Sequence, residues 1–182
     1  MMRLRRLELR DAPLMLEWMH DPSVVEHLHA DFLSKTLEDC ERFIMNSHTD
    51  ETNLHLAIVD ESDVYQGTVS LKDIHDGTAE FAITIRAAAM GKGLSAAAMK
   101  EIIRIGFEEK GLKSVFWCVS PENKRAVRFY DKNGYVRVPH GRLPIRGYDD
   151  ALIRSLLWYL VTKEELALPD DFSAKRQTIS NQ

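Results

Sequence analysis

Cysteine is scarce in this chain. Cys40 and Cys118 are the only two in 182 residues, which excludes a disulfide framework and a four-cysteine zinc site. A basic excess is missing as well: 24 Lys and Arg stand against 28 Asp and Glu, a formal net charge of −4. Binding along a phosphate backbone normally shows a cationic stripe, so no nucleic acid partner is expected. Long apolar runs are also lacking. The richest stretches, Ala151 to Val161 and Ile102 to Phe107, are too short and too interrupted to span a bilayer, so no membrane partner is expected either. The opening Met-Met-Arg-Leu-Arg-Arg-Leu has neither the apolar core nor the small-residue cleavage site of a secretory signal. A cytoplasmic location is the expectation. Neither an internal repeat nor a domain linker stands out.

What remains is ordinary globular material, 45% apolar and 29% charged. The length suits one domain, residues 1–162, followed by a polar tail, 163–182, expected to be partly disordered. Met2 to Leu9 alternates as a first strand. Asp11 to His20 carries the apolar residues of a short helix that Asp21-Pro22 interrupts, and Thr36 with Asp39 three residues later caps a second helix. Leu54 to Val59 and Tyr65 to Leu71 read as strands joined by the acidic turn Asp60 to Asp63, and Asp76-Gly77 as a hairpin turn into Ala79 to Arg86. Met99, Ile102, Ile103 and Phe107 recur at helical spacing until Gly111, which is placed to close the helix in the left-handed conformation. Strand, helix and strand follow to Val138, with Ser120-Pro121 read as a helix cap alongside Asn123, and a final strand spans Leu152 to Thr162. Phe107, Phe116, Trp117 and Trp158 are candidate core. The element order implies an α+β fold with a mixed sheet.

The most informative stretch runs from Ala79 to Tyr135. It contains a strand, the glycine turn Met90-Gly91-Lys92-Gly93-Leu94-Ser95 opening a helix at Ala96, a second strand, and a helix bearing Asn123, Ala126 and Tyr130. Closely spaced glycines at a helix mouth leave backbone N–H groups aimed at one spot where the helix dipole also favours negative charge, a seat for a diphosphate. Two turns along the later helix, Tyr130 shares a face with Asn123 and is positioned to give a proton to whatever that seat holds. The pair points to an enzyme that uses a phosphorylated carrier.

On these residues the chain resembles the GNAT superfamily of N-acetyltransferases. The family's turn, Arg/Gln-x-x-Gly-x-Gly/Ala, is matched by Met90 to Ser95, and its Asn-x-x-Ala-x-x-x-Tyr-x-x-x-Gly-Phe/Tyr signature by Asn123, Ala126, Tyr130, Gly134 and Tyr135. Two positions depart: Met90 cannot donate as Arg or Gln would, and Ser95 puts a side chain where the backbone nears phosphate. The likeness covers roughly residues 2 to 162 and is strongest to the branch of ribosomal-protein N-terminal, spermidine and amino-sugar acetyltransferases. It implies a mostly antiparallel mixed sheet flanked by helices, with a splayed fourth and fifth strand. Acetyl-CoA is then the co-substrate, its pantetheine arm pairing with the free edge at Ile83, Thr84 and Ile85. A bulge is expected near that edge.

The resemblance also implies roles. Met90, Gly91, Lys92, Gly93, Leu94, Ser95, Ala96 and Asn123 would hold the carrier. An alkyl ammonium has a pKa of about 10.4 and must lose a proton before attack, so Glu80 is the candidate base and a substrate contact, with Tyr130 as acid to the leaving thiolate. The acceptor pocket would be built by Asp21 to Lys35 and Pro139 to Asp150, contributing Glu26, His27, Asp31 and Asp149; Arg142, Arg146 and Tyr148 would suit an amino sugar. The expected partner is a small-molecule amine, polyamine or amino sugar, attacked directly in a ternary complex. A protein N-terminus as acceptor, and a non-catalytic acyl-CoA sensor, remain open alternatives, as does a homodimer. Cys118, in an apolar strand, reads as core and not as an acetyl-carrying nucleophile. His27, His29 and Asp31 lie on one short loop without a second ligand cluster, so no metal is expected.

Overall fold

The computed structural model describes residues 1–166. Strand β1 (Arg3–Arg6) leads through a 3₁₀ turn into helix α1 (Ala12–Met19), followed by α2 (Pro22–Val25) and α3 (Leu37–Ser47). A three-strand meander comes next: β2 (Leu54–Val59), β3 (Tyr65–His75) and β4 (Thr78–Ile85). Then follow α4 (Leu94–Glu108), β5 (Ser114–Val119), α5 (Lys124–Lys132), β6 (Val136–Arg137), α6 (Asp150–Ser155), β7 (Leu157–Thr162) and α7 (Lys163–Leu166). The seven strands form one sheet in the order β1-β2-β3-β4-β5-β7-β6. Every neighbouring pair is antiparallel except β4 and β5.

Local chemistry accounts for most boundaries. Thr36 and Asp39 form a reciprocal capping box at the start of α3, satisfying backbone N–H groups that the helix leaves unpaired. Asp21 accepts from the Ser23 N–H ahead of Pro22, so the pair that ends α1 also begins α2. The β3–β4 turn rests on Asp76 and Gly77, at φ 47° and 75°, a left-handed pair whose twist matches the strands it joins. Gly111 closes α4 at φ 67°.

Three expectations are corrected. The last strand starts at Leu157, because Asp149 accepts from the Leu152 N–H and turns Asp150–Ser155 into a helix, so Leu152 and Ile153 pack as helix residues. Ser120 caps nothing: its hydroxyl accepts from Glu122 within a turn, and Asn123 alone caps α5. The irregularity in the β3–β4 ladder falls between Lys72 and His75, and the pairing runs evenly from Lys72↔Glu80 to Gly67↔Ile85, past the edge where a bulge was expected. The tail expected to be partly disordered falls, beyond Leu166, outside the described residues.

Side chains alternate between two layers. Ile58, Val69, Leu71, Ala79, Phe81, Val115 and Trp117 face α4 and α5, where they pack with Met99, Ile102, Ile103, Phe107 and Tyr130. The opposite face carries two separate clusters. Ala57, Val59 and Tyr65 pack with α1 and α3 at one side, and Phe116 and Trp158 pack under residues 138–153 at the other. Between these clusters the same face presents the polar residues Thr68, Ser70 and Lys72 of β3, with Glu80 opposite Lys72.

Candidate active site

The sheet opens at its middle. Parallel pairing of β4 with β5 is limited to Thr78↔Ser114, Ala79↔Val115 and Glu80↔Phe116, after which the strands part and leave Ile83, Thr84 and Ile85 without a partner on that side. β3 stays tight against the other side of β4: a Cβ at Gly67 would stand 2.4 Å from the Thr84 carbonyl oxygen, so only glycine lets the strands approach there. A free strand edge beside a gap is a template for an extended, amide-bearing ligand.

The glycine turn lies just beyond that edge. Gly91 and Gly93 take φ of 78° and 76°, and Gly93 is the N-cap of α4 with no capping side chain, so the first-turn N–H groups from Leu94, Ser95 and Ala96 receive no help from a side chain. A Cβ at either glycine would meet nothing within 4 Å, so backbone conformation, not crowding, selects glycine and the space in front stays open. These residues fit the diphosphate of a nucleotide-linked carrier. The Met90 sulfur, at the head of the turn, is 3.0 Å from the Arg125 guanidinium of α5. Asn123 accepts from the Ala126 N–H at 3.2 Å and thereby fixes the start of α5.

Tyr130 is 7% exposed and sits among Trp117, Phe129, Tyr135 and Tyr159, with ring centroids 5.1 to 6.4 Å away. Among the described residues its hydroxyl has no hydrogen-bond partner. Burial foremost, then proximity to Cys118, Tyr159 and Tyr135, raises its pKa well above that of a free phenol, so it keeps its proton throughout the physiological range.

Glu80 occupies the last paired position before the strands part and is 8% exposed. Its carboxylate accepts from the Tyr148 hydroxyl at 2.6 Å, and the Lys72 ammonium stands 3.8 Å away. Cys118 lies against the same phenol, and burial, reinforced by Glu80, pushes its thiol up to about 12. The segment carrying Tyr148 is tied down a second time where Arg146 grips Asp73 through two contacts of 2.9 and 2.5 Å. Tyr148 and Lys72 as partners of Glu80 were not legible beforehand; the first is 68 residues away and no local pattern joins them.

The acidic residues expected around the acceptor are engaged locally. Glu26 lies 3.3 Å from the His27 imidazole, Asp31 accepts from the Ser34 N–H, and Asp149 caps α6. Among the described residues none of them is hydrogen-bonded or paired with Glu80. No set of three or more His, Cys, Asp or Glu among the described residues is arranged to hold a metal. No described helix is long and apolar enough to cross a membrane.

Residues 2–136 match the family model of the acetyltransferase (GNAT) domain. The chain belongs to the GNAT family. A curated relative, the uncharacterized N-acetyltransferase p20 of Bacillus licheniformis, is 25% identical over 144 residues, covering 74% of this chain and 81% of that protein. Among solved structures, spermidine N-acetyltransferase from Vibrio cholerae in complex with CoA and spermine superposes with a TM-score of 0.75 at 20% identity, covering 90% of this chain and 96% of that one. An acetyltransferase (GNAT family) from Bacillus anthracis gives 0.71 at 19% identity, covering 90% and 96%. The protein is therefore an acetyl-CoA-dependent N-acetyltransferase, with the mixed, mostly antiparallel α+β fold and splayed β4–β5 pair that its sequence implied.

Proposed function

We propose that this GNAT enzyme acetylates a primary amine of a small molecule, a polyamine or an amino sugar, by direct attack while both substrates are bound. The observation that carries the reading is Glu80: a nearly buried carboxylate at the point where β4 and β5 part, held by one phenol and one loosely placed ammonium. A buried carboxylate with acceptor capacity to spare attracts an ammonium and takes its proton, directly or through water. The freed nitrogen lone pair then forms the bond to the acetyl carbon, and the carbon–sulfur bond breaks with its electrons on sulfur. Tyr130, kept protonated by its surroundings, gives that sulfur its proton.

Cys118 argues for direct transfer. A thiol held near 12 is almost wholly protonated at neutral pH and makes a poor relay for the acetyl group. Glu26, His27, Asp31 and Asp149 would serve as the rim of the acceptor pocket, the three carboxylates raising the local concentration of a cationic amine. The fold shared with a spermidine N-acetyltransferase solved with spermine favours a polyamine.

The test is thiol release from acetyl-CoA against polyamines, amino sugars, aminoglycosides and N-terminal peptides. Turnover on a polyamine or amino sugar is expected. Turnover confined to the peptides, or tight CoA binding with no turnover on any acceptor, would overturn the proposal.

A further inference from the structure

We infer that Arg125 of α5 supplies the cation for the carrier's diphosphate that position 90 lacks. In the turn motif the first position carries Arg or Gln, whereas Met90 has only a thioether, which donates nothing. The ground in front of it is not empty of donors. Arg125, 35 residues further along, reaches across so that one guanidinium nitrogen lies 3.0 Å from the Met90 sulfur. A thioether is a weak acceptor that leaves the positive charge uncompensated, so the contact steadies the guanidinium beside the glycine turn without neutralising it.

The charge around it is also uncompensated. Lys124, Arg125, Arg128 and Lys132 surround Phe129 in one shallow depression, and among the described residues no carboxylate lies within 4.0 Å of any of the four cations. Some arginines elsewhere are well supplied, Arg104 by Glu101, Glu108 and Glu109 and Arg42 by Glu38 and Asp39. Arg6 meets only the His48 carbonyl, so what sets the α5 group apart is that four such cations cluster beside the glycine turn. A patch of unpaired cations next to a turn built for an anion calls for its counter-charge from a ligand. Arginine suits the task because its planar fork matches two phosphate oxygens at once. Met90 thus trades a donor of its own for a platform on which a donor from α5 rests. This concerns the carrier alone and holds whichever amine is acetylated.

The test is titration of the full chain with CoA, together with the KM for acetyl-CoA. Arg125→Ala is expected to weaken CoA binding by roughly 10- to 100-fold, the loss of one charge-assisted contact, with its melting temperature unchanged because the side chain is exposed. The loss should persist with dephospho-CoA, which keeps the diphosphate, and disappear with S-acetylpantetheine, which has none. Adding Met90→Arg to the Arg125→Ala protein should restore most of the affinity. Unchanged CoA binding in Arg125→Ala, a penalty that vanishes with dephospho-CoA, or no recovery in the double variant would each overturn the inference.

Discussion

Asp11 and Glu80 are both carboxylates shut away from solvent, at 2% and 8% exposure, yet they are treated differently. Asp11 meets the Arg5 guanidinium through two bonds of 2.8 Å and accepts the Glu8 N–H at 2.8 Å. Arg5 is held again by Asp63, and these contacts raise its pKa further above its ordinary value, so the guanidinium facing Asp11 stays charged and fully paired. Glu80 has one phenol and an ammonium at 3.8 Å. A saturated buried carboxylate fixes structure; an unsaturated one at the rim of a gap is available for a ligand.

The contrast breaks first at Glu80. Glu80→Gln is expected to lower kcat/KM for the amine by about 10²- to 10⁴-fold, the usual value of general base assistance, with a urea midpoint close to that of the wild type. A variant that unfolds early instead would place Glu80 with Asp11. Asp11→Asn should do the reverse, costing about 3 kcal/mol of stability in urea unfolding because it leaves Arg5 with reduced compensation, while the KM for acetyl-CoA of the folded protein stays put.

Tyr130→Phe is expected to lower kcat by about 10²-fold with unaltered CoA affinity. Its raised folded pKa fixes the sign of the pH dependence: the phenol stays protonated beyond the value of about 10 at which it would ionise in an unfolded chain. The kcat profile should therefore show no falling limb below that pH. A falling limb near pH 8 that disappears in Tyr130→Phe would contradict the assignment. The same linkage makes stability decline only above pH ~10, where the unfolded chain releases this proton and the folded one does not.

Smaller effects sharpen the picture. Tyr148→Phe removes the single strong hydrogen bond to Glu80 and should reduce kcat/KM for the amine about tenfold, leaving CoA binding intact. Cys118→Ala should change kcat least of all, and initial-rate plots for both substrates should intersect. Parallel lines that depend on Cys118 would instead require an acetyl-thiol relay.

How far the sequence reached depended on the range of the interaction. The Thr36–Asp39 box, the Asp76-Gly77 turn, Gly111 and the Asn123 cap act within three or four residues, and each folds as its local pattern implied. The Asn123-to-Tyr130 spacing and the glycine turn carried the family, and the family carried the splay between β4 and β5. Leu152 and Ile153 misled because a run of apolar residues before a strand looks the same whether it pairs or coils, and the Asp149 cap tipped it into a helix. The Tyr148–Glu80 and Arg125–Met90 contacts join segments 68 and 35 residues apart and leave no periodic trace.

The sequence by itself determined which groups exist and how the backbone bends around them: where φ turns positive, which helix mouths are capped, and that a phenol follows Asn123 by two turns. Only the tertiary structure decided what each group experiences. Burial, pairing and proton affinity depend on neighbours delivered by other strands and loops, and it is the parting of β4 from β5 that leaves Glu80 enclosed and undersupplied where Asp11 is enclosed and satisfied.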